Sequence, residues 1–251
     1  MSEPQYLETP EGRRIAYHRS PGRGPGIVFL GGFASDMTGS KATHLEAWCA
    51  AEGRAFLRFD YSGHGASSGR FEDGAIGDWA ADAEAAITAL TDGPQVLIGS
   101  SMGGWISLLM TRRLGAKVAG LVTIAAAPDF TEDGYWAEFS DDERAALMAD
   151  GQIAVPSEYG DPYIITRRLI EDGRAHLLLR EPLELTLPTR MLQGTADTVV
   201  PLARAVKILE HVTGEDIRFV ALKGADHSFS SQPALKVLED ATLNVLSVLE
   251  G

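Results

Sequence analysis

Short apolar runs recur along the chain, separated by stretches in which apolar residues return every three or four positions. Ile27-Val28-Phe29-Leu30 is continuously apolar and β-rich, the pattern of a strand buried on both faces. Arg54 to Phe59, Val96 to Ile98, Ala119 to Ala125, Thr189 to Gly194 and Ile217 to Leu222 read as further strands. Between them lie helical patterns. Lys41 to Glu52 is stopped by Gly53; from Ile76, the residues Trp79, Ala83, Ala86, Ile87 and Leu90 form one apolar face, with Asp78, Asp82 and Glu84 opposite. Helices are also expected over Trp105 to Leu114, over Leu202 to His211 and at the C-terminal end, where Leu235, Leu238, Thr242, Val245 and Leu249 share a face. Strands alternating with helices imply a mostly parallel, doubly wound α/β sheet. A hairpin precedes it, Gln5 to Glu8 and Arg13 to His18, turning at Glu11-Gly12.

The alternation breaks between Pro128 and Pro188, where no apolar β-run is evident. Two helix starts replace it. Ser140-Asp141-Asp142-Glu143 has the spacing of a capping box, and Asp161-Pro162 places proline at a first helical position, with Gly173 as the stop. A helical insertion in an α/β sheet sits most naturally over its carboxyl edge as a cap. The expected organisation is a core of 1–128 and 188–251 with a helical cap over 129–187.

Composition narrows the class of partner. The 251 residues suit one α/β domain with an insertion, and 45% hydrophobic with 23% charged residues is ordinary globular usage. A formal charge of −13 repels nucleic-acid phosphates and anionic lipid, so neither is an expected partner. No run is long enough to span a bilayer, and MSEPQYLETP lacks both a basic and an apolar leader region; a cytoplasmic location is expected. The lone Cys49 reads as a buried structural thiol.

The candidate chemistry centres on Gly99-Ser100-Ser101-Met102-Gly103, between the strand at Val96 and the helix at Trp105. Strand, tight G-x-S-x-G turn and helix form a nucleophile elbow, and Ser101 alone has glycine at both flanking second positions. A serine hydroxyl needs a base and a group that orients the base. His227 follows the last strand and so returns to the carboxyl edge; His64, in a glycine-rich loop at that edge, is its rival. His18, His44, His176 and His211 read as surface or packing residues. Asp197, after the strand TRMLQG, fits the chain order serine, acid, histidine, with Asp129 as the alternative acid and Asp226 as a loop-shaping neighbour. The oxyanion needs two backbone N–H groups, expected from Phe33 and Met102. No metal or dinucleotide motif is present, and no cofactor is expected.

These features together resemble the α/β-hydrolase family over nearly the whole chain. Gly32 to Ala42 (GFASDMTGSKA), Arg58 to Gly63 and Gly99 to Trp105 are similar to the branch of mitochondrial palmitoyl-protein thioesterases that also hydrolyse acyl glucuronides. The resemblance implies Ser101 as nucleophile, Asp197 as acid and His227 as base. It implies a small-molecule ester or thioester substrate, or an acylated protein. Apolar cap residues such as Phe130, Tyr135, Trp136, Tyr159 and Tyr163 lead to the expectation of a hydrophobic acyl group. Arg167, Arg168, Arg174 and Arg180 read as solvated cations, with an arginine clamp on an anionic leaving group as the sharper alternative. A serine peptidase or amidase, or a non-catalytic ligand-binding relative, remains open on the residues alone.

Overall fold

The computed structural model of the chain describes residues 3–157 and 160–251. In chain order, the hairpin β1 (Gln5–Glu8) and β2 (Arg14–Ser20) leads into β3 (Arg23–Leu30), α1 (Ser40–Ala51) and β4 (Arg54–Phe59). Next come α2 (Ile76–Leu90), β5 (Gln95–Ser100), α3 (Met102–Leu114) and β6 (Val118–Ile124). After an insertion the core resumes with β10 (Thr189–Gly194), α6 (Leu202–His211), the short β11 (Val212–Thr213), β12 (Ile217–Leu222) and α7 (Gln232–Glu250). The insertion holds α4 (Asp141–Asp150), β7 (Gln152–Ser157), β8 (Gly160–Thr166), α5 (Arg167–Arg174) and β9 (Leu183–Glu184).

The main sheet has eight strands in the order β1-β2-β4-β3-β5-β6-β10-β12. It is parallel from β4 to β12, and the antiparallel pairs are β1 with β2 and β2 with β4. The pleat divides each central strand between two cores. Val28, Leu30 and Leu97 pack on the face covered by Trp79 of α2 and Trp105 of α3; Ile27, Phe29, Val96 and Ile98 face Leu45 of α1 and Leu238 and Val245 of α7. With apolar contacts on both sides these strands carry no polar alternation, which explains their continuous apolar runs. Cys49 lies in the second core, and burial pushes its thiol up to about 12. No helix among the described residues is long and apolar enough to cross a membrane.

The insertion departs from the expected pair of helices. It opens with a π-helical turn, Phe130–Trp136. The α4 capping box forms: the Ser140 hydroxyl accepts from Glu143 N–H at 3.2 Å, and Glu143 Oε2 accepts from Ser140 N–H at 2.8 Å. Asp161-Pro162, however, lies in a strand. β7 and β8 form an antiparallel hairpin pairing Gln152 with Thr166 and Val155 with Tyr163. Tyr163 to Thr166 are aromatic or β-branched, which suits the pleat. In a two-stranded sheet each strand keeps an open edge, so Pro156 and Pro162 displace no ladder on that side. The helix starts at Arg167 instead, capped by Thr166, whose hydroxyl accepts from Leu169 N–H at 3.1 Å. Gly173 falls inside its last turn. Tyr159 lies outside the described residues.

Candidate active site

Ser101 occupies the turn between β5 and α3 with φ 54° and ψ −116°, a region that a residue with a side chain enters at about 1–3 kcal/mol. The surroundings hold it there. Its N–H donates to Ile124 O at 2.9 Å, and its carbonyl accepts from Gly104 and Ala127 at 2.9 and 3.1 Å. The flanking glycines are required by contact rather than by their own dihedrals. A Cβ on Gly99 would stand 2.3 Å from Gly103 O, and one on Gly103 would stand 2.1 Å from Leu30 O. The start of α3 therefore lies directly on the end of β3, which brings the turn Gly31-Gly32-Phe33 beside Ser101. Met102 opens α3, where first-turn N–H groups have no partner within the helix.

The structure brings Asp197 and His227 together: His227 Nδ1 and Asp197 Oδ2 are 2.9 Å apart. Two laced loops achieve this. Thr195 N–H donates to Leu222 O and Ala196 N–H to Ala225 O, each at 3.0 Å, tying the exit of β10 to the exit of β12. The carboxylate of Asp197 is fully engaged. Oδ1 accepts from Val199 and Val200 N–H at 2.9 and 2.8 Å, while Oδ2 also accepts from the Gln193 amide at 2.9 Å. Burial by itself would raise its pKa; hydrogen bonds from His227, the Val200 N–H and Gln193 outweigh that and hold the carboxyl below its ordinary range. An ionised carboxylate only accepts, so His227 Nδ1 carries the proton and Nε2 is left as the basic nitrogen.

Ser101, His227, Phe33 and Tyr163 line two adjoining cavities. One, of about 360 Å³, runs past Ser35, Asp36, Lys41, Ser228 and Ser230. The other, of about 280 Å³, runs under the insertion along Ala127, Phe130, Tyr135, Val199, Val200 and Pro201, and Glu138 and Arg204 line it as well. The Phe33 ring anchors the junction, with ring centroids 4.8 Å from Phe71 and 5.4 Å from both Phe130 and Tyr163.

The rival residues lie elsewhere. His64 is buried, its Nδ1 3.1 Å from Ser62 O and its Nε2 accepting from Ala34 N–H at 3.2 Å. Burial lowers it to about 4, against the raising effect of the Ser62 carbonyl, so it is a neutral brace for the turn after Phe33. Asp129 is fully buried beneath the insertion, accepting from Leu178 and Leu179 N–H at 2.8 and 2.9 Å. Asp226 shapes its own loop: Oδ1 accepts from the Ser228 hydroxyl at 2.7 Å and Phe229 N–H at 3.1 Å. None of the four cap arginines lines either cavity. Arg168 pairs with Asp78, Arg174 with Glu132 and Arg180 with Asp133 at 2.6, 2.7 and 2.5 Å, and Arg167 lies 3.7 Å from Glu171. The cations that do border the cavities are Lys41, within the GFASDMTGSKA stretch, and Arg204, which no motif marks in the sequence.

A turn-mounted serine at the carboxyl edge of a parallel sheet, with a paired histidine and carboxylate on later loops, is the arrangement of the alpha/beta hydrolase family. The model of that family matches residues 27–239, and the chain belongs to it. Among curated relatives, the mitochondrial palmitoyl-protein thioesterase ABHD10 of Rattus norvegicus is 34% identical over 238 residues, spanning 93% of this chain and 79% of the relative. The solved structure of mouse alpha/beta hydrolase domain-containing protein 10 superposes with TM-score 0.91 at 31% identity, covering 99% of this chain and all of that one. Est1E from Butyrivibrio proteoclasticus, with ferulic acid bound, shares the fold at TM-score 0.82 and 17% identity, covering 97% and 99% of the two chains.

Proposed function

We propose that the protein is a serine hydrolase that cleaves carboxylic esters or thioesters through an acyl-enzyme intermediate. The observation that carries this reading is the 2.9 Å His227–Asp197 hydrogen bond opening onto the cavities that Ser101 lines. In this mechanism His227 Nε2 takes the Ser101 proton as the hydroxyl attacks the carbonyl carbon, and Asp197 stabilises the imidazolium that forms. The tetrahedral oxyanion accepts from the N–H groups of Phe33 and Met102. His227 then returns the proton to the leaving alcohol or thiol. A water activated by the same nitrogen releases the acid and regenerates Ser101.

The cavity under the insertion suits the acyl chain, because Phe33, Phe130, Val199, Val200 and Pro201 give it apolar walls beside Ser101. Named thioesterase relatives agree with a hydrophobic acyl group. A series of p-nitrophenyl esters and matched S-acyl thioesters, run on wild type and Ser101→Ala, tests the proposal. Turnover in wild type, acylation mapped to Ser101 and loss of both in the variant are expected. Labelling by a fluorophosphonate at any other residue would overturn it.

A further inference from the structure

Lys41 lies within the GFASDMTGSKA stretch, yet no step of the proposed mechanism uses it. It is the second residue of α1, its side chain lines the larger cavity, and Nζ donates to the main-chain carbonyl of Ser228, the residue after His227. Asp226 and Asp197, on the two loops that meet there, attract the ammonium. Asp36 borders the same cavity, with Oδ1 already accepting from Thr38 N–H and the Thr38 hydroxyl at 2.7 and 2.5 Å.

We infer that Lys41 is a positioning residue for the general base, a cationic strut from α1 that fixes the His227 loop at the carbonyl beside it. This inference rests on the triad reading above. The bond to Asp197 holds the ring of His227 at one atom, and the hydrogen bonds to the exit of β10 hold the loop before it, at Gly224 and Ala225. The Lys41 tether supplies a fixed point one residue further on. Asp226 also braces Ser228 and Phe229, so the loop is held on both sides of His227. A misplacement of a catalytic group by about 1 Å lowers turnover by roughly 10²-fold. Retaining a charge here opposes stability. Burial lowers the ammonium to about 8, against the pull of Asp226 and Asp197. The folded state therefore holds the proton less tightly than the unfolded one, and the penalty is full below pH 8 and fades as pH rises toward the ordinary value of 10.5.

The test compares Lys41→Met and Lys41→Arg with wild type in p-nitrophenyl ester turnover across pH, alongside thermal unfolding. Lys41→Met should lose roughly 10- to 100-fold in kcat with KM nearly unchanged, while its Tm at pH 7 equals or exceeds that of wild type. Wild-type kcat should decline above about pH 8 as the ammonium is lost. Lys41→Arg should keep most of kcat and remove that decline, because a guanidinium stays charged there. Should Lys41→Met fail to fold, the alkaline limb of Lys41→Arg decides alone. Wild-type kcat in Lys41→Met, a Tm that falls in step with kcat, or an alkaline limb unmoved in Lys41→Arg each overturns the inference and leaves the triad untouched. A wild type without turnover, or with turnover surviving Ser101→Ala, brings down the triad reading and this inference together.

Discussion

The two halves of the cleft are built differently. On the sheet side every candidate catalytic group leaves the end of a parallel strand: Phe33 after β3, Ser101 after β5, Asp197 after β10 and His227 after β12. Backbone hydrogen bonds between neighbouring strand exits fix these loops, and the Asp197 carboxylate meets four donors. On the insertion side, Phe130, Tyr135 and Tyr163 come from a π-helical turn and a two-stranded hairpin. Besides the backbone pairing of β9 with β11, side chains attach it: Asp129 to the amides of Leu178 and Leu179, Asp172 to Gly77 N–H at 2.7 Å, and surface ion pairs. In the proposed mechanism the chemistry rests on strand ends, whose loops are fixed by backbone hydrogen bonds. Selectivity is then assigned to side chains of the insertion, which can change without moving those ends.

Substitutions of the two kinds of group should separate these halves most widely. Ser101→Ala or His227→Ala should lower kcat by on the order of 10⁶ with the fold intact. Asp197→Asn should lower it by about 10⁴, since an amide presents a donor where His227 Nδ1–H must be accepted. Asp129→Asn should leave kcat within a few-fold and instead lower stability by about 1–3 kcal/mol, because one oxygen acceptor is lost to a buried pair of N–H donors. Steady-state kinetics and urea unfolding on the same four proteins check both. If the Asp197 and Asp129 penalties come out exchanged, the division between catalytic sheet edge and tethered insertion collapses.

The same division governs what could be read from the sequence. Ser101 is legible because Gly99 and Gly103 are demanded by backbone contacts local to one turn. Asp197 and His227 are legible because topology alone sends every parallel strand's exit to one edge. The hairpin was not legible. A strand depends on a partner distant in space, and Asp161-Pro162 carries the local chemistry of a helix start whichever way the chain continues. That Lys41 and Arg204 reach the cleft was not legible for a related reason. Each reaches the cleft from a helix whose sequence pattern records only which face is buried, not where a long side chain ends.

A smaller effect concerns the brace behind Phe33. His64 Nε2 accepts from Ala34 N–H, and protonation would set two donors against each other. Burial lowers the folded-state value to about 4, so the unfolded chain takes up a proton first as pH falls from 6.5. Stability should decline across that window by up to about 3 kcal/mol through this residue. His64→Gln keeps an acceptor without titrating, and ester turnover should survive the change. Unfolding free energies at pH 7 and pH 4.5 should therefore differ less in the variant; equal differences would show that the brace is not a buried neutral imidazole.

Next in size is acyl selectivity. Each methylene seated against Phe130, Tyr135 and Val200 adds about 0.8 kcal/mol to transition-state binding. The kcat/KM of p-nitrophenyl esters should rise with chain length until the cavity is full. Phe130→Ala should shift the preferred length upward and change the ratio between long and short chains by roughly 10-fold or more. The short-chain rate should stay near wild type, because nothing on the sheet side has moved. A flat length dependence would break the assignment of this cavity to the acyl group.

The smallest effect is expected from the arginines of the insertion. Arg168, Arg174 and Arg180 hold Asp78, Glu132 and Asp133, and Arg174 also stacks over Trp136 at 4.6 Å. Side chains already paired on the surface have no free fork to offer a leaving group, and exposed pairs of this kind contribute about 0–1 kcal/mol. Neutralising each to Gln in turn should leave kcat/KM for an acyl glucuronide and for a neutral ester of the same acid within about twofold of wild type. Arg204→Gln is the internal comparison, since Arg204 borders the cavity under the insertion while donating to Asp133 O at 2.7 Å. A selective loss on the glucuronide in Arg168→Gln, Arg174→Gln or Arg180→Gln would restore the clamp and move leaving-group recognition onto the insertion. An equal response of both substrates in all three leaves these arginines as fasteners of the insertion, with the chemistry wholly on the sheet side.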